Sequence, residues 1–334
     1  MSHPVHPGLK TRATIAFALL LAFVAACGGD SGTTPPPPPP AIPNLHGIGS
    51  WPFLGEFDLF AVGDAGTILH YQGAQLHTMA SHTTQNLRDV TGINSSTAFA
   101  VGDGGTILRW NGTLWTGETS HTKQNLRSVW GSTTDNLIAV GNSGITLSRS
   151  GAVWNIDASP TTSNLNGVYA LSDGEAYAVG DDGAVTHRVG GVWSVVTPFT
   201  TSRLRSVWAD KPRDWFVVGD NGEIWQERGA GWTQMVSPRT DDFYSIAGSD
   251  SAFVWAAGDA DSILFYDGFD WRPIAPRHAS RLEAIWATVC DLPPSPGPAP
   301  AAGFHCSNTY FAGTSSVVTR FTLLGSYEVL NDPR

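Results

Sequence analysis

Charge is scarce in this chain of 334 residues: Asp, Glu, Lys and Arg together make up 14%, with 19 basic residues against 29 acidic ones. No basic stripe is present, so nucleic acid is a poor partner, and the acidic balance reads as solubility. Cysteine is rarer still at three residues, none of them in a Cys-x-x-Cys pair, which argues against dithiol redox chemistry. Long apolar runs are missing too. Residues 13–26 (ATIAFALLLAFVAA) are 14 in number, short of the roughly 20 that span a bilayer. Gly-x-Ser-x-Gly, His-Glu-x-x-His and Asp-x-Asp-x-Asp-Gly do not occur, and His70, His77, His82, His121, His187 and His278 are scattered without ligand spacing. No catalytic residue, metal or cofactor is therefore expected. Patterns of helical length are absent as well.

What is present is glycine, 37 residues of it, and a repeat. The stretch AVGDGGTILRWNG (100–112) has copies at 60–73, 138–151, 177–190, 216–229 and 255–268. Their shared glycines, Gly63, Gly102, Gly141, Gly180, Gly219 and Gly258, fall every 39 residues. Trp115, Trp154, Trp193, Trp232 and Trp271 keep the same step, as do Leu87, Leu126, Leu165, Leu204, Phe243 and Leu282. Such a period marks a repeat architecture. Within 86–124, four short apolar runs are separated by Gly-Asp-Gly-Gly and Asn-Gly turns, a strand and hairpin pattern. Four antiparallel strands per unit describe a propeller blade. The Trp and Leu rows are read as packing between the sheets. With Leu45 opening the first unit and a weaker copy around Gly313 ending the last, the sequence predicts an all-β, seven-bladed β-propeller over residues 44–334.

The amino terminus reads as an export signal. Lys10 and Arg12 precede the short apolar run, and Val24-Ala25-Ala26-Cys27 resembles the bacterial lipobox. That resemblance implies a signal peptide over 1–26, cleavage before Cys27, and acylation of that cysteine. Several acyl chains hold a protein stably on a membrane. Removing 1–26 leaves 17 basic and 29 acidic residues. Residues 27–43 then form a Gly- and Pro-rich tether whose Pro35–Pro40 run is a polyproline II spacer. Gly28, where an Asp would retain an enterobacterial lipoprotein at the inner membrane, points to the outer membrane. The expected address is an exported, lipid-anchored monomer of the bacterial envelope.

The repeated turns carry Asp64, Asp103, Asp181, Asp220 and Asp259, with Asn142 in the third unit. Asp and Asn suit such turns because their side chains bond nearby backbone N–H groups and tolerate left-handed conformations. Arg88, Arg127 and Arg205 follow the leading Leu, where His46, Asn166, Tyr244 and Glu283 stand in other units. Inner-strand starts and Gly-Asp turns share one propeller face, which places these Arg and Asp side chains together. They either bridge turn to strand or form an anion or carboxylate site at the mouth of the channel, since Arg binds carboxylates in bidentate fashion. Cys290 and Cys306 bracket a Pro-rich insertion (290–306) in the last unit, and in an oxidising compartment such a pair forms a disulfide.

Units of the form Leu-x-x-Val-Trp-Gly, Ala-Val-Gly-Asp-x-Gly-Thr-Ile-Leu and a closing Trp resemble the repeats of photosystem II assembly-factor-like and BNR/Asp-box-like propellers. Similar units recur in bacterial surface lipoproteins of the myxobacterial sort. The resemblance covers 44–334 and implies the fold; its members include assembly factors, binding proteins and glycosidases. A sialidase-like enzyme would bring an Arg-Ile-Pro motif and a Tyr–Glu pair, and Arg-Ile-Pro is missing here. The expected function is a non-catalytic scaffold for another envelope protein. A glycan-binding module, using Trp130, Trp208, Trp225 and Trp286 on envelope polysaccharide, is the alternative.

Overall fold

The computed structural model describes residues 43–51, 58–72, 75–171, 174–274, 281–287, 308–314, 318–322 and 327–329. The expected signal segment, Cys27, the tether to residue 42, Cys290, Cys306 and the insertion between them lie outside the described residues.

Every described strand belongs to a four-stranded antiparallel sheet, and each sheet takes its strands in chain order. Blade 2 shows the unit: Leu87–Asn94, Thr97–Gly102, Ile107–Trp110 and Trp115–Glu118 run from inner to outer edge. A 3-10 turn, Asp103–Gly105, joins its second and third strands. The second strand is apolar at every position because it is covered on both faces. Ala98 and Ala100 pack toward blade 1 with Phe60 and Val62, whereas Phe99 and Val101 pack toward blade 3 with Leu126 and Leu137. Period-two alternation thus yields two interfaces from one strand. The leading residues Leu87, Leu126, Leu165, Leu204 and Phe243 are fully buried. The outer-strand tryptophans reach back into the same interfaces: Trp115 meets Phe60 edge-on at 5.0 Å and Trp154 meets Phe99 at 6.1 Å.

The shared glycines have a steric reason. Gly102 is extended, and a Cβ there would stand 2.2 Å from the carbonyl oxygen of Asn86. That carbonyl accepts the Asp103 N–H at 2.9 Å. The close approach fixes the start of the inner strand to the turn, and only glycine admits it.

The expectation of seven like blades needs correction. The complete unit, four strands with its 3-10 turn, is described six times, not seven: blade 1 (45–79), blade 2 (87–118), blade 3 (126–156), blade 4 (165–195), blade 5 (204–234) and blade 6 (243–274). One further four-stranded sheet, Leu282–Ala287, Asn308–Gly313, Val318–Thr322 and Tyr327–Val329, follows blade 6, and its inner strand lies against that of blade 1. It departs from the repeat. The segment 288–307 parts its first two strands, Tyr327 opens an outer strand that in blades 2 to 6 carries Trp, and of its turn only Thr314 is described. The fold is an all-β propeller of four-stranded antiparallel blades, with six full repeats and one divergent sheet.

Candidate functional site

The inner strand of each blade starts with a bulge. In blade 2, Leu87 faces Gly102 and Asp89 faces Val101, so Arg88 has no partner across the ladder. A bulge re-aims its side chain, and the freed residue reaches the 3-10 turn of its own blade. The same skip frees His46, Arg127, Asn166, Arg205, Tyr244 and Glu283. One backbone device, repeated around the ring, therefore presents a different side chain at each step.

Most of these side chains are committed to a partner. Arg88 grips Asp103 with Nε to Oδ1 at 3.0 Å and Nη2 to Oδ2 at 2.7 Å. Arg205 Nε donates to Asp220, and its Nη2 reaches Asp242 of the next loop at 3.4 Å. Asp181 accepts from Asn166 and Asn164, each at 2.9 Å, and pairs with Arg203 at 2.8 Å. The Tyr244 hydroxyl donates to Asp259 at 3.1 Å, while the guanidinium groups of Arg205 and Arg281 lie 4.2 and 3.8 Å from its ring centre. His46 lies between two carboxylates, Nε2 at 2.7 Å from Asp64 and Nδ1 at 2.5 Å from Glu283. That contact joins blade 1 to the divergent sheet.

Arg127 stands apart. Its Nε donates to Asn142 Oδ1 at 2.6 Å and its Nη1 to Asn166 Oδ1 at 3.1 Å. Both partners are neutral, and among the described residues it forms no ion pair. Burial lowers the Arg127 pKa, with Arg203 and Arg88 acting the same way against Asp181 and Asp103. The Asp103 hydrogen bond instead raises that of Arg88. At His46 burial works to lower the pKa, but the bonds to Glu283 and Asp64 outweigh it and leave a net rise. Burial likewise opposes the net lowering at Asp64 and at Asp181, where hydrogen bonds from His46 and from the two Asn prevail.

The five predicted Asp residues and three predicted Arg residues thus lie on one face, and two of the three Arg bridge turn to strand. The turn chemistry differs from expectation in one respect. The left-handed residue is not the Asp but its successor: Ala65, Gly104, Ser143, Asp182, Asn221 and Ala260 have φ between 51 and 64°. Four of their N–H groups are met by the loop of the following blade. Ala65 donates to Asn86, Gly104 to Asn125, Ser143 to Asn164 and Asn221 to Asp242, each at 2.9 Å. These Asn residues recur every 39 positions just before the leading Leu, a register the apolar rulers passed over.

A second ring was also missed. Each inner strand is an edge with unpaired N–H groups, and the residue after the bulge answers one on the next blade. Asp89 accepts from Val129 N and Ser128 Oγ, both at 2.9 Å. Ser128 meets Val168 N, Ser206 meets Ile246 N and Ser245 meets Ile285 N, at 3.3, 3.3 and 3.1 Å. Burial pushes the Asp89 carboxyl up to about 6, against its hydrogen bonds.

The tryptophans offered for glycan binding are not a platform. Trp208 is 6% exposed and packs in the core with Phe216. Trp130 stacks on Tyr169 at 4.5 Å and donates to Ala170 O, Trp225 donates to Glu223, and Trp286 packs against the core of blade 1. For Trp130, Trp208 and Trp286, which follow the inner-strand bulge, sequence spacing alone gave no sign that the rings would turn inward. Among the described residues no group of three or more His, Cys, Asp or Glu is placed to hold a metal ion.

Comparison with known proteins gives likeness in fold. No family model matches the chain, and no curated protein matches it. Among solved structures, YCF48 bound to D1 peptide aligns with TM-score 0.63 at 15% identity, over 84% of this chain and 92% of that one. YCF48 from Cyanidioschyzon merolae aligns with TM-score 0.63 at 16% identity, over 85% and 97%. The WD40 β-propeller domain of Doa1 aligns with TM-score 0.66 at 10% identity, over 84% and 93%. At these identities the likeness establishes a β-propeller and leaves function to the residues of this chain.

Proposed function

We propose that this chain is a non-catalytic scaffold, exported and tethered through acylated Cys27 to the bacterial outer membrane, that holds a partner protein on its turn face. The disulfide between Cys290 and Cys306 belongs to the same proposal. The observation that carries it is the bulge ring. Blade-to-blade repetition keeps Leu, Val, Gly and Trp in the frame, yet at the bulge it places His46, Arg88, Arg127, Asn166, Arg205, Tyr244 and Glu283. A constant frame presenting varied polar side chains suits recognition of an asymmetric partner. Arg127 supplies a half-buried cation whose hydrogen-bond partners, Asn142 and Asn166, are both neutral, the group best placed to bind a partner's carboxylate. One similar propeller is described as bound to a peptide, which agrees with this reading. The inward packing of Trp130, Trp208, Trp225 and Trp286 removes the support for the glycan alternative.

The test is co-purification of the full chain from membranes in mild detergent, beside an Arg88→Ala/Arg127→Ala/Arg205→Ala variant. A stoichiometric protein that accompanies the parent and is lost from the folded variant is expected. Polysaccharide without protein, or a partner retained by the variant, overturns the proposal.

A further inference from the structure

The opposite face, where the first and second and the third and fourth strands of each blade turn, carries a cleft of about 460 Å³ between blades 4 and 5. Its polar lining includes Glu175, Tyr177, His187, Arg213 and Glu227. Three equivalent junctions are filled. Between blades 1 and 2, His70 stacks on Phe60 at 4.3 Å and bonds Asp58, and Trp110 covers both at 6.0 and 5.5 Å. Between blades 2 and 3 the guanidinium of Arg149 lies 4.9 Å over Phe99. Between blades 5 and 6 Tyr266 packs on Phe216 at 5.7 Å. In register with Trp110, Arg149 and Tyr266, blade 5 carries Glu227, a shorter, acidic side chain that leaves the junction open.

Beneath it the stack is conserved in form but altered in chemistry. His187 lies on Tyr177 at 4.1 Å, nearly parallel, and bonds Glu175 at 2.8 Å. Tyr177 stands where blades 1, 2 and 5 carry Phe60, Phe99 and Phe216. It is 8% exposed and lines the cleft, and its hydroxyl makes no hydrogen bond among the described residues. Glu227 accepts the Gly229 N–H at 2.5 Å and forms no ion pair among the described residues. The charged and titratable groups lining this space are Glu175, Glu227, His187, Tyr177 and Arg213, so two carboxylates face one guanidinium. Burial, with help from Glu227 and Glu175, pushes the Tyr177 hydroxyl up to about 12, so it stays protonated and offers oxygen lone pairs.

We propose that this cleft binds an organic cation, an alkylammonium or guanidinium group, with Glu227 and Glu175 as its counter-charges and the Tyr177 hydroxyl as an acceptor. An anion would meet two carboxylates. A sugar would need a bare aromatic face, and Tyr177 is enclosed by His187, Trp215 and Trp232. The claim is independent of the turn-face scaffold.

The test is ligand-observed NMR titration of the full chain with Nα-acetyl-lysine N-methylamide, its Nε-acetylated counterpart, and spermidine. The charged amide should bind, and its acetylated counterpart about tenfold more weakly, since the charge-assisted bonds are lost. Glu227→Gln should weaken the charged amide by about tenfold with an unchanged melting temperature. Tyr177→Phe, which restores the residue of other blades, should weaken it by roughly threefold while the chain stays folded. Spermidine binding much tighter than the amide identifies a free polyamine as the source of the cation; comparable affinities identify a side chain. Absence of binding by both cations, equal binding of the acetylated probe, or an affinity untouched by Glu227→Gln overturns the proposal.

Discussion

Arg88 and Arg127 occupy the same bulge in adjacent blades, 39 residues apart, and differ in what answers them. Arg88 closes a bidentate pair with Asp103, whereas Arg127 finds the amide oxygens of Asn142 and Asn166. A single exchange in the turn, Asp for Asn, separates a guanidinium paired with a carboxylate from one bonded only to neutral amides. The two junctions of the opposite face differ in the same manner: Trp110 closes one and Glu227 opens the other. A propeller repeat keeps its frame through glycine, leucine and tryptophan and is specialised by single positions that the frame does not need.

The comparison assumes that both arginines stand on equally firm blades, and the largest predicted effect tests that. Trp154 is 1% exposed, meets Phe99, and donates to Glu118 at 2.8 Å. Trp154→Ala should cost about 4 kcal/mol in denaturant unfolding. A loss below about 1 kcal/mol would show that the outer Trp row is not part of the frame.

Next in size is the seam at His46. Its pKa is raised in the fold by Glu283 and Asp64, with Arg88 opposing and Arg281 competing for Glu283. The linked stability is fully present below the imidazole's ordinary value of 6.5 and is lost as pH rises through the higher folded value. Between pH 6 and pH 9, His46→Gln should therefore lose less stability than the parent. Parallel pH profiles for the two proteins would mean that the seam carries no linked proton.

The smallest effects interchange the two arginine sites. Asn142→Asp gives Arg127 the carboxylate that Arg88 already has and should raise stability by about 1 kcal/mol. Asp103→Asn removes it from Arg88 and should lower stability by a similar amount, about 1 kcal/mol. Equal and same-signed shifts in the melting temperatures would remove the distinction between the sites.

Much of the frame was legible in the chain because it recurs. The glycine, leucine and tryptophan rulers located the blades, the tight turns and the buried inter-sheet rows, and the step from leading Leu to Arg placed Arg and Asp on one face. The seventh unit misled because Leu282 keeps the step whereas Gly313 falls out of it across an insertion, and a weak copy does not guarantee the complete unit. The bulge was invisible: a skip between Leu87 and Asp89 leaves no mark in composition, yet it decides that Arg88 reaches its turn and that Trp208 turns inward. The capping Asn86, Asn125 and Asn164 did leave a periodic signal, in polar residues where only apolar ones were being counted. The cleft at Glu227 is legible only by aligning units against one another and asking where a bulky residue is replaced by a small charged one.

The measurement that bears most directly on the account is the amount of partner protein retained per propeller by the full chain, its Arg127→Gln variant and its Asn142→Asp variant, at matched melting temperatures. The account predicts that neutralising Arg127, or answering its charge from within the turn, releases the partner while the blades remain intact. Undiminished partner on both variants would contradict it, and would mean that the unanswered guanidinium of blade 3 is a feature of the fold alone.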